Sequence, residues 1–581
     1  MMTTNSIPGA QPRSRKWNVQ PAVKGLSDRI AAAFSLHPAV ARILVSRGWK
    51  DEGDQLADFL SPSLKGLRSP FELREMDRGV ERVAAAVRNK EKICVYGDYD
   101  VDGVTSTALL VGTLRFLGAN PSFAIPHRIN DGYGMSEKRV EQIAKDGCTL
   151  ILTVDTGVGA IGPVRRAKEL GMDVVVTDHH LAGDELPETI AFINPNRTDG
   201  YYEHGRLCGV GVAFKFAHAL LKVSGTTERD AKAFLMEQLD LVALGTIADV
   251  VPLTGENRIF ARHGLDAIAR SRRPGIRALI DVAGYSGKPI TPHAVGFGLG
   301  PRLNAAGRTQ DALLALKLLL STSPTESHAI AQELDALNRE RQEIERGILD
   351  ASLLAITEIA SLSSNAVVVA GEGWHFGVVG IVASRLTERF GVPAIVLTIE
   401  EDLARGSARS VSGFNIHEAL QACSEHLETF GGHAAAAGVK LRKSKLPTFR
   451  EAMNDHAGRI FSTMDRTQTL EVDTEVSAAE IGRHFYDDLQ KMQPFGEGNR
   501  APVLLLRSVE SAGPPRIVGR NHLKLRLKCG TTTFDGIGFG LGHLKELFEG
   551  GVADVLFRPV ENTFTGEPRI ELEIVDGRRA V

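Results

Sequence analysis

Between about Glu75 and Asp249, short apolar runs rich in β-branched residues alternate with longer stretches of helical apolar spacing. The short runs are Ile93-Cys94-Val95-Tyr96, Leu150-Ile151-Leu152-Thr153-Val154 and Val174-Val175-Val176. The helical stretches are Arg78 to Lys90, Thr105 to Leu117, Val164 to Leu170 and Phe234 to Ile247. This alternation predicts a βαβ series and so a parallel sheet covered by helices. From Thr325 to Ile359 the residues Ala329, Ile330, Leu334, Leu337, Ile344, Ile348, Leu349, Leu353 and Ile356 recur every three or four positions among Glu, Arg, Asn and Gln. That spacing predicts one long amphipathic helix of the kind that joins two lobes.

Beyond it, strands at Asn365 to Ala370 and Ala394 to Thr398 flank a helix at Val379 to Phe390, a second, smaller α/β domain over roughly 362–460. From about Gln468 the pattern becomes short alternating strands: Val503 to Arg507, His522 to Leu527, Thr532 to Gly538, Val552 to Arg558 and Arg569 to Ile574. Such a series predicts a small β-barrel or sandwich.

With 581 residues the chain exceeds what one core holds, and about 150 residues per domain suggests three or four domains. The net charge of −3 gives no whole-chain basic excess, so a polyanion must meet a local groove. Cys94, Cys148, Cys208, Cys423 and Cys529 are odd in number and lack metal-ligand spacing, which fits a reducing cytoplasm. No run approaches the roughly 18 apolar residues of a membrane span. Met1 to Gln20 is polar, carries Pro8 and Pro12, lacks the apolar core of a signal peptide, and is expected to be a disordered tail.

The candidate chemistry lies just past the predicted strands, in Gly97-Asp98-Tyr99-Asp100-Val101-Asp102-Gly103, in Asp155 of Thr153-Val154-Asp155-Thr156-Gly157, and in Asp178-His179-His180; Asp249 ends the last of the helical stretches. Residues beyond the carboxyl ends of parallel strands converge on one crevice. Asp98-x-Asp100-x-Asp102-Gly103 opens like a calcium-binding EF-hand loop. That loop needs a glutamate at its twelfth position, where this chain has Leu109, and a preceding helix, where it has a strand. Three carboxylates at alternate positions repel one another unless a cation neutralises them. An oxygen-rich set with one or two imidazoles suits Mn²⁺ or Mg²⁺, and two such ions roughly 3.5–4 Å apart would activate a water and stabilise the oxygens of a phosphoryl transfer.

These motifs resemble the DHH phosphoesterase superfamily and, within it, the RecJ family of single-strand-specific exonucleases; the likeness covers nearly the whole chain. The resemblance implies that Asp100 holds one ion, that Asp102, His179 and Asp249 hold the other, and that Asp155 bridges them. Asp98 is a further metal candidate, and His180 would donate toward the scissile phosphate. The second lobe is similar to the DHH-associated domain, marked by Gly431-Gly432-His433-Ala434-Ala435-Ala436-Ala437-Gly438. There, glycine N–H groups and a following helix would meet a phosphate. Gly300-Pro301-Arg302-Leu303-Asn304-Ala305-Ala306-Gly307-Arg308, Ser407-Ala408-Arg409-Ser410 and Arg128 with Tyr133 resemble exonuclease substrate segments. Guanidinium groups grip phosphate bidentately and a tyrosine can stack on a base, so Arg128, Tyr133, Arg302, Asn304, Arg308, Ser407, Arg409, Gly431, Gly432 and His433 are candidate substrate residues.

Glu372-Gly373-Trp374-His375-Phe376-Gly377 and Gln493-Pro494-Phe495-Gly496-Glu497-Gly498-Asn499 also match the family, the latter opening its OB-fold barrel, in which Arg516, Arg520, Lys524, Arg526 and Lys528 would line a groove for a single strand.

The expected architecture is therefore α/β: a parallel-sheet DHH domain (71–265) with a helical extension (266–324), a connecting helix (325–360), a smaller α/β DHH-associated domain (361–462) and an OB-fold β-barrel (466–581), after an N-terminal tail and helical segment (1–70). The implied activity is metal-dependent 5′→3′ degradation of single-stranded DNA to mononucleotides in DNA repair and recombination. The implied cofactors are two Mn²⁺ or Mg²⁺ ions. The implied partners are single-stranded DNA, single-strand-binding protein and a RecQ-type helicase, with no membrane and a monomeric, cytoplasmic enzyme. The alternatives are a phosphoesterase for short oligonucleotides or cyclic dinucleotides, and a non-catalytic nucleic-acid-binding scaffold.

Overall fold

The computed structural model describes residues 15–580 except 22, 129–131, 133, 184, 198, 201, 203–205, 359–364, 465–466 and 563–567. The first lobe is built on a five-stranded, wholly parallel sheet in the order Ser122–Ala124, Ile93–Gly97, Leu150–Val154, Asp173–Thr177, Ala191–Ile193. The central strands Ile93–Gly97 and Leu150–Val154 are buried along their whole length. Because the chain leaves Ile93–Gly97 toward one neighbour and returns to the other, the strand order reverses there. The crevice beyond Gly97 and Val154 is thus the topological switch point at which such sheets bind ligands. Helices Met76–Arg88 and Val101–Phe116 each pack on Gly209–Val223 beside the sheet, and Glu228–Ala248 packs on the latter two.

One helix, Pro324–Glu358, runs between the lobes. Its first half buries Ala331, Leu334 and Leu337 in the first lobe's core, and its second half buries Ile348 and Ile356 in the second lobe's. The second lobe is a mixed sheet ordered Thr429–Gly432, Ala436–Arg442, Leu403–Arg409, Ala394–Glu400, Val367–Glu372. Only its last pair is parallel.

The C-terminal strands form a seven-stranded sheet that closes on itself where Leu504–Ser511 pairs with His522–Cys529. Its core is shared with the N-terminal helices: Ile30, Val40, Ile43 and Leu44 pack with Phe485, Leu489, Val555 and Phe557. The expectation of a disordered tail over Met1 to Gln20 is corrected for its end. Arg15–Val19 is a strand, parallel to Gln468–Val472, because Trp17 donates to Asp576 Oδ2 (2.9 Å) and stacks under Arg578. Residues 1–14 lie outside the described residues.

Candidate metal centre and phosphate cleft

Asp98, Asp100 and Asp102 come directly after the first central strand. Asp100 caps helix Val101–Phe116, its Oδ1 accepting from Gly103 N–H at 3.1 Å. Asp102 lies inside the first turn and is buried; its two oxygens accept from Gly209 N–H (2.6 Å) and Val210 N–H (2.8 Å), at the start of helix Gly209–Val223. A helix N-terminus carries partial positive charge and free N–H groups, so it fixes this carboxylate in place. Asp155 comes just after the second central strand in the left-handed region (φ 58°), a conformation rare for a non-glycine residue, and there turns its carboxylate into the crevice. Asp249 caps the far end of helix Glu228–Ala248.

These residues form three overlapping groups, each with ligand atoms within 4.8 Å of one another: Asp98, Asp100 and Asp155; Asp102, His179 and Asp249; and Asp155, His179 and His180. The first two groups would make two sites, and Asp155, a member of the first, lies within reach of the second, 3.0 Å from His179 Nε2. Asp98 Oδ1, Asp155 Oδ1 and His179 Nε2 are buried without a hydrogen-bond partner, a costly state for polar atoms that a cation would relieve. The same crowding holds the protons on. Burial and then the charge of Asp100 push Asp98 up to about 8 and Asp102 to about 7. Burial and Asp102 raise Asp155 well above the usual carboxylate range and Asp249 to about 9. Burial and the neighbouring His180 lower His179 to about 4, leaving it neutral as a ligand must be. The donor set, oxygens with one or two imidazoles, fits two Mn²⁺ or Mg²⁺ ions.

Asp178 plays a different part. Its carboxylate is fully buried and accepts from the N–H groups of Val158 (2.8 Å), His179 (2.7 Å) and His180 (3.1 Å), while holding His180 Nδ1 at 2.8 Å. Burial alone would lower His180, but the bond to Asp178 together with the charges of Asp178, Asp249 and Asp98 overcomes it and raises the imidazole to about 9, so Nε2 carries a proton to donate. Asn194 and Asn196 hold the carbonyls of His180 and His179 from behind.

Beside this cage stand three arginines. The Arg128 guanidinium lies over the Tyr99 ring at 4.1 Å, with its Nε buried and unpaired. Arg308 donates to the Gly377 carbonyl (3.2 Å); burial, then Arg128, lowers it to about 10. Arg409 donates to Ser407 Oγ at 2.6 Å, and burial, then Arg128, lowers it as well. Arg308 comes from the first lobe and Arg409 from the second, so the cluster spans the cleft and favours an anion. Asn304 Oδ1 accepts from Val101 N–H (3.2 Å), steadying the turn that carries Asp100.

The comparisons with known proteins agree with this layout. Residues 92–246 match the DHH family N-terminal domain, 363–458 the DHHA1 domain and 472–576 the RecJ OB domain. A single-stranded-DNA-specific exonuclease RecJ of Salmonella typhimurium is 39% identical over 530 residues, which cover 87% of this chain and 89% of the relative. Its Bacillus subtilis counterpart is 39% identical over 91% of this chain and 66% of its own, so the chain spans about two thirds of that relative. The chain belongs to the RecJ family. The crystal structure of RecJ in complex with Mn²⁺ from Thermus thermophilus superposes with a TM-score of 0.81 at 30% identity, covering 98% of this chain and 80% of that one. Neither a dinucleotide phosphoesterase nor a silent scaffold is favoured beside these RecJ relatives.

Against the RecJ motifs, two expectations change. The glycine-rich segment is not a loop before a helix: Thr429–Gly432 and Ala436–Arg442 form an antiparallel hairpin, with His433 N–H donating to Ala436 O at 2.8 Å. The segment following Gly432 continues as a strand rather than a helix, and the helix end that meets its turn comes from before it in sequence: Ile416 N–H, at the start of helix Ile416–Ala422, donates to Ala434 O at 3.0 Å; Gly438 sits in register with Ser407, which brings the hairpin beside the arginine strand. Arg302 does not join the cluster. All of its nitrogens are committed, to Asp335 at 2.9 Å and to the Gly298 carbonyl at 2.8 Å, tying its helix to the connecting helix. Tyr133 lies outside the described residues. On the barrel, Lys524 is ion-paired with Glu571, whereas Arg516, Arg520, Lys528 and Arg526, the last in register opposite Asp535, are exposed. Sequence reasoning missed Asp178, Asn194, Asn196 and the Gly209–Val210 amides. The motif Asp178-His179-His180 held the first; backbone donors leave no side-chain trace.

Proposed function

We propose that this chain is a metal-dependent exonuclease that removes mononucleotides from the 5′ end of single-stranded DNA, in DNA repair and recombination. The reading rests on one observation above others: two ligand groups, Asp98–Asp100–Asp155 and Asp102–His179–Asp249, are joined by the 3.0 Å approach of Asp155 to His179 and lie beside the arginine cluster Arg128–Arg308–Arg409. Two divalent cations held by Asp98, Asp100, Asp155, Asp102, His179 and Asp249 would supply an activated water and neutralise charge on the phosphate, as Mn²⁺ and Mg²⁺ are present in RecJ structures.

The protein's own groups set the rest. A terminal 5′-phosphate gripped by Arg128, Arg308, Arg409 and Ser407 registers the strand, so that the first phosphodiester lies over the carboxylates. Protonated His180, oriented by Asp178, donates to the phosphate as negative charge builds. The cleft between two lobes admits one strand, and the barrel's exposed Arg516, Arg520 and Lys528 hold the remainder of that strand. The family resemblance supports a cytoplasmic, monomeric enzyme working with single-strand-binding protein and a RecQ-type helicase; among the described residues no helix is long and apolar enough to cross a membrane.

The test is the ratio of hydrolysis rates on 5′-phosphorylated and 5′-hydroxyl strands at saturating Mn²⁺. Arg409→Ala and Arg128→Ala are expected to reduce that ratio toward one. A ratio unchanged in both variants would refute the pocket.

A further inference from the structure

The four most exposed large apolar side chains among the described residues are Phe297 (73%), Leu181 and Leu354 (64%) and Val250 (63%). Three of them border the metal centre. Leu181 is next in sequence to His180, and Val250 to Asp249. Phe297 lies in a π-helical turn, Ala294–Leu299, whose next residue, Gly300, sits against Ala248: a methyl group on Gly300 would lie 3.5 Å from the Ala248 Cβ. Asp249 is the very next residue. The turn that carries Phe297 therefore packs against the end of helix Glu228–Ala248 that delivers Asp249.

The fold itself gives no reason for these side chains. Val250 is β-branched yet holds φ at 61°, where glycine or asparagine would cost less, and its side chain gains nothing by burial. Phe297 is stacked on His293, with centroids 4.7 Å apart and planes at 26°, so that the ring stands as a supported flat surface in water. Exposed apolar groups collected in one place mark a surface that meets something. A protein seated here would close the mouth of the metal centre. A nucleic-acid strand passing from the carboxylates to the barrel would, in contrast, run over it: the segment running on from Val250 docks on the C-terminal domain, with Leu253 N–H donating to Glu497 O at 2.8 Å and Pro252 against Gly498.

We propose that Phe297, backed by His293 and flanked by Val250 and Leu181, is a stacking platform for the unpaired bases just beyond the scissile phosphate. It would make the enzyme choose strands whose bases are free to stack. This rests on the single-strand exonuclease reading above. Stacking on an aromatic ring is sequence-tolerant and depends on the base, not on the phosphate.

The experiment compares a 5′-phosphorylated oligothymidine with the same strand carrying abasic units next to the scissile bond, at saturating Mn²⁺. The wild type is expected to show a KM roughly tenfold lower for the base-bearing strand. Phe297→Ala should abolish that difference with kcat nearly unchanged, and Phe297→Trp should keep it. Val250→Gly should raise KM while leaving the melting temperature unchanged or higher, which a structural role would not do. Equal KM values for the two strands in the wild type, or discrimination retained in both Phe297→Ala and Val250→Gly, would overturn the platform alone. Failure of the wild type to cleave any single strand would overturn the exonuclease reading and the platform with it.

Discussion

The backbone N–H of Gly209 donates to Oδ2 of Asp102 at 2.6 Å, so a candidate metal-binding carboxylate is held by the first turn of a helix more than one hundred residues away in sequence. The site leaves no room for anything larger than glycine, since a methyl group there would lie 2.6 Å from the Asp155 Cβ and Oδ1. Gly209→Ala should therefore displace both Asp102 and Asp155. The expected outcome is a loss of roughly 10–100-fold in metal affinity or activity, with secondary structure retained; Mn²⁺ titration by calorimetry reads it. An unchanged affinity would mean that the helix end does not set the ligand.

Removing metal should make stability strongly pH-dependent. In the unfolded chain an Asp titrates near 3.8, whereas in the folded, metal-free cage Asp102, Asp98 and Asp249 titrate at about 7, 8 and 9. Between those values the folded state binds more protons than the unfolded state, so stability falls as pH rises from about 4 to about 9. In chelator, the melting temperature should drop across that window. Added Mn²⁺ should flatten the drop, and Asp249→Asn should reduce it. A chelated protein with a flat profile would argue against the crowded cage.

Asp178→Asn removes the negative charge that, with its hydrogen bond, keeps His180 protonated. His180 stands at about 9 in the intact site and would fall toward or below its ordinary 6.5. The alkaline limb of the kcat profile should move to lower pH, while kcat below that limb changes less. A limb that stays in place would exclude His180 as the proton donor.

The N-terminal helices should stabilise the barrel rather than the catalytic lobes, because Ile43 and Leu44 are fully buried in the barrel's core. Leu44→Ala is expected to cost about 2–5 kcal/mol of that unit's stability. Long single strands should then bind more weakly and with a shallower salt dependence, as fewer phosphates are neutralised. Hydrolysis of very short oligonucleotides should persist. Equal loss on short and long strands would contradict the division of labour.

Much of the fold and the site is legible in the sequence where side chains carry the signal. The carboxylates at 98, 100, 102, 155 and 249 come after strands and a helix whose apolar periodicity is plain, and the helix Pro324–Glu358 is readable from its spacing alone. The hidden part is long-range. Arg302 reads as a phosphate ligand until Asp335, thirty-three residues on, is seen to occupy it. The hairpin of Gly431 and Gly432 reads as a loop because small residues have neither strand nor helix periodicity. Arg15–Val19 finds its partner strand some 450 residues later, which no local pattern reports. Gly209 and Val210 act through backbone amides, invisible to any motif of side chains.

The central claim is that the two-cation cage acts at the 5′ end of a single strand, and strands labelled at one end or the other test it most directly. With Mn²⁺, a 5′ label should appear at once as a mononucleotide, while a 3′ label should stay on progressively shorter strands and be released last; chelator or Asp155→Ala should stop both. Release of the 3′ label first, internal cuts without mononucleotide, or undiminished cleavage by Asp155→Ala would contradict the account.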